Sequence, residues 1–111
     1  MQEYEVLKDN RDFVRLYKRG KCILTPSFAL YYGKNRSGKL RIGITAGKKL
    51  GSAVKRNRAK RVIREAVRKN TGLFSCAADV VIVARFRATY LKSFKIEENL
   101  KTALQGVFTE E

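Results

Sequence analysis

Apolar residues recur along this chain at two spacings, and the switches between them mark out its elements. Phe13, Leu16 and Tyr17 fall at i, i+3, i+4, which predicts a short helix through about Arg19. Asp9 or Asn10 stands ready to cap it, and Gly20 to close it as a C′ residue. Cys22-Ile23-Leu24 reads as a short strand stopped by Thr25-Pro26. Ser27 to Tyr32 alternates, with Phe28, Leu30 and Tyr32 on one face and Ala29 and Tyr31 on the other. Gly33 to Gly38 is turn-rich, and Leu40, Ile42 and Ile44 then alternate again; the two strands are expected to pair as a meander. After a basic loop from Gly47 to Ser52, the period lengthens to that of a helix over about Ala53 to Lys69. Ala59, Val62, Ile63, Ala66 and Val67 share one of its sides. Asp79 to Ala84 is the most apolar strand and so is expected at the centre of the sheet. A basic connection, Arg85 to Lys92, leads to a last helix over about Ser93 to Phe108. Its buried stripe is Ile96, Leu100, Ala103, Leu104 and Val107.

This order predicts an α+β fold, an α/β sandwich with three helices on a central sheet of about four strands. The strands flanking the second helix make a βαβ unit, which the general rule would cross over right-handed. With 111 residues, 44% of them hydrophobic, and no repeat or low-complexity linker, the chain reads as one domain over residues 1–111. No run approaches the roughly 18 apolar residues of a membrane span. The acidic N-terminus lacks the apolar segment of a secretory signal. Cys22 and Cys76 are too few for a disulfide scaffold, and both are expected to be reduced core thiols of a cytoplasmic protein.

Charge changes the picture most. There are 25 Lys and Arg against 10 Asp and Glu, a net charge of +15, and no histidine. Histidine-dependent nucleophiles, proton shuttles and imidazole metal sites are therefore excluded. Between Lys48 and Lys69 stand ten cations and one acid, Glu65, so 22 residues hold +9 of the net charge. Asn57, Arg61, Arg64 and Arg68 form a stripe opposite the apolar side, flanked by Arg58 and Lys60. Like charges at this spacing oppose helix formation by a few tenths of a kcal/mol per pair, so the stripe does not serve the helix. A merely solvated face is the plain alternative. Arginine forks match phosphate oxygens and stack on bases, which favours RNA or DNA as partner. Gly43 to Lys49 only imitates a phosphate-binding loop: it has three residues between the glycines rather than four, and Lys49 where Ser or Thr should stand. Phe13, Tyr17 and Tyr31 suit the core individually. Together, on the opener side of the sheet, they would make a basic-rimmed cleft for the unstacked bases of a single strand.

The run from Lys48 to Glu65, with Arg56-Asn57-Arg58 at its heart, resembles the signature of the bacterial ribonuclease P protein subunit. Asn10 to Lys21 resembles that family's first helix, Arg41 to Ile44 its strand before the signature, and Asp79 to Arg85 the strand after it. Ala59 stands where the family more often has a larger aliphatic residue, and Tyr17 where phenylalanine is common. The resemblance implies an α/β sandwich whose βαβ crossover is left-handed, against the general rule. It also implies a protein that works with a large catalytic RNA, in a holoenzyme that removes the 5′ leader of precursor tRNA. On this view the RNA holds the Mg2+ ions, and the protein has no catalytic residue, metal site or cofactor of its own. Lys48, Lys49, Lys55, Arg56, Asn57, Arg58, Lys60, Arg61, Arg64 and Arg68 would contact the catalytic RNA. Phe13, Tyr17 and Tyr31 would line the leader cleft. A small ribosomal protein explains the charge equally well, but not the match along the chain. A protein-only nuclease would need clustered carboxylates, and Asp79 has no evident partner in the sequence.

Overall fold

The computed structural model describes residues 3–75 and 77–108. Five strands form one mixed sheet: β1 (Glu5–Val6), β2 (Lys21–Leu24), β3 (Phe28–Lys34), β4 (Arg41–Thr45) and β5 (Ala78–Ala84), in the order β1-β4-β5-β3-β2. Three helices accompany it: α1 (Asn10–Arg19), α2 (Ala53–Lys69) and α3 (Ser93–Ala103). The α+β class stands, with one strand more than the four expected. The additional strand, β1, has two residues and is too short to leave a period in the sequence; Glu5 and Leu7 donate backbone hydrogen bonds to Leu40 and Ile42.

β5 lies at the centre, as its apolar run predicts. It runs parallel to β4, with Arg41 opposite Asp79 and Thr45 opposite Val83. It runs antiparallel to β3, with Phe28 opposite Ala84 and Lys34 opposite Ala78. The expected meander of β3 and β4 is therefore corrected, because β5 separates them. A strand that is apolar on both faces belongs between two neighbours with a helical layer on each side. Residues 35–40 step over its beginning, where the Asn35 amide donates to the Ala77 carbonyl at 2.9 Å.

Alternation divides the sheet into two faces. Phe28 and Leu30, Ile42, and Val80 and Ile82 meet α2 and α3 in the larger core. On the other face Leu7, Leu16 and Val81 make a smaller core, with Phe13, Tyr31 and Val83 packed against it. The result is three layers, with α1 alone on one side.

Three further local expectations change. Gly20 closes α1 with φ −75°, not in the left-handed region. A Cβ there would come within 2.6 Å of the Leu16 carbonyl oxygen, so close approach selects glycine. α3 ends at Ala103 rather than near Phe108, and the chain turns through Gly106 at φ +78°. Leu104 still reaches the core from that turn. Cys22 is exposed, not a core thiol, because it lies on the outermost strand β2. The same expectation for Cys76 lies outside the described residues. Among the described residues no helix is long and apolar enough to cross a membrane.

Candidate nucleic-acid interface

α2 begins at Ser52, whose Oγ accepts from the Lys55 amide at 3.3 Å. Gly51 before it has φ +116°, a conformation few side chains adopt, and lets the chain leave the short 3-10 turn Lys48–Leu50. Lys55 and Arg56 occupy the first turn, where the helix dipole disfavours cations. The helix is held by its apolar side instead: Ala59, Val62, Ile63, Ala66 and Val67 are all buried.

The opposite stripe is open. Asn57, Arg61, Arg64 and Arg68 are exposed, as are Lys48, Lys49 and Lys55, while Lys60 is half-buried. From Asn57 to Arg68 the stripe runs about 16 Å at the helical rise of 1.5 Å per residue. Not all of its cations are equally available. Arg68 pairs with Glu65 at 3.0 Å, and Lys69 approaches the same carboxylate at 3.5 Å. The Arg68 hydrogen bond holds Glu65 below the ordinary glutamate value. Arg58 is half-buried, and its guanidinium donates to the carbonyl oxygens of Ala88 at 3.1 Å and Tyr90 at 3.3 Å. Arg56 is half-buried too, with a buried Nε that finds no acceptor among the described residues. Lys55, Asn57, Arg61 and Arg64 present the open part of the surface.

Across the sheet, α1 and β3 bring Phe13, Tyr17 and Tyr31 together. The rings of Phe13 and Tyr17 lie 6.5 Å apart and those of Tyr17 and Tyr31 5.0 Å apart, both edge to face. Tyr17 is 43% exposed. Phe13 sits directly over Gly43, where a Cβ would come 2.7 Å from its Cζ. Burial and Tyr31 push the Tyr17 phenol above its ordinary value, and Cys22, opposite on β2, does the same to Tyr31 through a hydrogen bond. Both phenols stay neutral at physiological pH, so neither repels a polyanion.

α1 is anchored by a group that sequence reasoning left without a role. Asp79 is completely buried at the start of β5. Its Oδ1 accepts from Asn35 Nδ2 and Arg41 Nε, both at 2.7 Å. Its Oδ2 accepts from Arg41 Nη2 at 2.7 Å and Arg15 Nη2 at 2.6 Å. Arg15 also bonds Asp12 at 3.1 Å. The signal in the sequence was an acid at an inward position of an otherwise apolar strand, which demands partners. Those partners are cations and an amide, so the carboxylate's acceptor capacity is taken up by positioning α1.

An arginine-rich helix on one face of a sheet and three clustered aromatic rings on the other fit the class of RNA-binding accessory subunits. The comparisons with known proteins agree. A family model described as Ribonuclease P matches residues 1–107. A ribonuclease P protein component from Pelotomaculum thermopropionicum is 38% identical over 105 residues, covering 95% of this chain and 94% of that protein. The structure of the Staphylococcus aureus RNase P protein superposes with a TM-score of 0.78 at 33% identity, over 95% of this chain and 96% of that one. The Thermotoga maritima RNase P protein gives 0.79 at 30% identity, over 92% and 96%. The chain belongs to the ribonuclease P protein family.

Proposed function

We propose that this protein is the protein subunit of ribonuclease P, binding the catalytic RNA through α2 and the 5′ leader of precursor tRNA in the cleft between α1 and the sheet. It serves as the accessory subunit of an endoribonuclease in tRNA 5′ maturation, working in the cytoplasm. The observation that carries the reading is the open stripe of Asn57, Arg61 and Arg64 on α2. The like charges of Arg61 and Arg64, one turn apart, oppose the helix's own stability, so they answer to a partner. Lys48, Lys49 and Lys55 extend that surface.

The mechanism is electrostatic and positional. Ribozyme and substrate are both polyanions and repel each other on docking. A subunit of net charge +15 in contact with both lowers that repulsion. Neutralising phosphates also releases counterions, so affinity falls steeply with salt. Unstacked leader bases lie on Phe13, Tyr17 and Tyr31, each stacked base contributing roughly 1–3 kcal/mol. Mature tRNA has no leader, and the cleft therefore favours precursor over product. The attacking water and its Mg2+ belong to the RNA.

The test is precursor-tRNA cleavage by a bacterial ribonuclease P RNA at low Mg2+, with and without the protein, beside a protein-only control. Stimulation together with an inert protein-only reaction is expected. No stimulation despite tight RNA binding would favour a structural binder of the ribosomal type.

A further inference from the structure

A second set of exposed rings lies outside the cleft, in the connection from β5 to α3. Residues 85–95 contain Arg85, Arg87, Lys92 and Lys95 and no acid. Within them a 3-10 turn, Phe86–Thr89, buries Ala88 and Thr89 and leaves Phe86 outside. Phe86 is 57% exposed and Tyr90, just after the turn, 55%. Their rings stand 5.9 Å apart at 63°. The turn is firmly built: Thr89 Oγ1 donates to the Phe86 carbonyl at 2.7 Å, and Arg85 Nη1 donates to the Thr25 carbonyl at 2.8 Å. It is also tied to α2, because the carbonyls that receive Arg58 are those of Ala88 and Tyr90.

Two large exposed rings on a hydrogen-bonded turn, among cations and beside the basic helix, are placed for a partner with π-faces and negative charge. A second copy of this chain is a poor occupant, since a two-fold contact would set this cationic segment against itself. An unpaired nucleotide satisfies both features, offering a base to the rings and a phosphate to Arg87 or Lys92. We infer that Phe86 and Tyr90 form a second stacking platform, which takes unpaired bases of the same RNA that α2 binds. Arg58 is then a positioning residue that fixes this platform against α2. The inference rests on the reading of α2 as the RNA-binding helix.

The test uses the full chain and a bacterial ribonuclease P RNA, with affinity measured across a salt series. Replacing both rings, Phe86→Leu with Tyr90→Leu, keeps apolar bulk at exposed positions and removes the stacking surface together with the Tyr90 hydroxyl. Affinity is expected to fall about tenfold or more with an unchanged salt slope, because no phosphate contact is lost. Affinity within twofold of wild type overturns the platform. The chain has no tryptophan, so Phe86→Trp supplies a unique fluorophore, and saturating RNA should quench its emission by stacking. Unmoved emission overturns the platform even if the double variant binds weakly. An emission change that depends on protein concentration without RNA would assign the rings to self-association and overturn it too. In the Phe86→Trp background, adding Arg58→Ala should weaken the quench and leave the salt slope alone. A slope lowered by about one would make Arg58 a direct phosphate contact and overturn its positioning role. Wild-type protein that binds no ribonuclease P RNA takes down the proposed function and this inference together. Wild-type binding with unaffected variants removes only the platform.

Discussion

Removing the Asp79 carboxylate, as in Asp79→Ala, should be the most damaging single change on the α1 side of the sheet. The native carboxylate accepts four hydrogen bonds, three of them from arginines. Losing one partner of a buried ionic cluster costs about 3–5 kcal/mol, because the charges left behind have no compensation. Here the arginine side chains keep some contact with water, Arg41 being 27% and Arg15 41% exposed. The cost should therefore lie near the lower figure, about 3 kcal/mol. For a chain of this length, an unfolding entropy of about 2.1 cal/mol/K per residue makes each kcal/mol roughly 4 °C, so Tm should drop by about 13 °C. Thermal unfolding followed by circular dichroism at pH 7 measures it. The pH dependence supplies a second readout. Burial pushes the Asp79 carboxyl up, but the bonds from Arg41, Asn35 and Arg15 together pull it further down, so it lies below the ordinary aspartate value of 3.8. A carboxyl lowered on folding stabilises fully above its unfolded value, and that contribution disappears as the pH falls through the folded one. Wild type should thus lose stability below about pH 4 more steeply than Asp79→Ala does. A Tm drop under about 4 °C, or identical acid limbs for the two proteins, would refute the anchoring argument.

Three other outcomes follow from the same geometry. Arg61→Ala and Arg64→Ala should each weaken assembly with the ribonuclease P RNA and reduce the salt slope by about one; an unchanged slope in both would count against an RNA-facing stripe. Tyr31→Ala should reduce affinity for precursor tRNA by about 1–3 kcal/mol and leave mature tRNA alone, whereas equal losses on both would sink the leader cleft. Gly43→Ala places a methyl 2.7 Å from Phe13 Cζ and 3.0 Å from the Leu7 carbonyl oxygen. Overpacking of this kind costs about 1–3 kcal/mol, and Phe13 should be displaced, so both Tm and precursor affinity should fall; wild-type values for both would show that the ring does not depend on that glycine.

Long periodic segments made their identity legible without coordinates. α2 declared both its limits and its buried side, because Ala59 to Val67 repeat at helical spacing beneath a run of cations. β5 declared its central place through the apolar run from Val80 to Ala84. The order of strands was not legible: a turn-rich loop between β3 and β4 suits a hairpin, and only the need to cover both faces of β5 rules the hairpin out. Short pairings such as β1 leave no period at all. The charges of α2 announced a polycationic surface, yet the sequence did not distinguish Arg58, bonded to the carbonyls of Ala88 and Tyr90, from Arg61, open to solvent. That distinction depends on what a distant segment places beside the helix. Asp79 likewise looked isolated, because Arg15, Asn35 and Arg41 reach it from three separate elements.

The division of β5 between two faces has a consequence for distance. Val80 and Ile82 support the layer that carries the basic stripe, while Asp79 and Val81 support the layer that carries the clustered rings of Phe13, Tyr17 and Tyr31. One strand therefore stands between the basic stripe and the three clustered rings, the two surfaces proposed for RNA. The molecule measures 21 Å across its shortest axis, more than twice the roughly 8 Å over which charges feel each other at physiological salt. RNAs bound as proposed on its two faces would be held further apart than that distance, so across the body each would meet chiefly the cations that face it, which is one way the subunit would lower their repulsion.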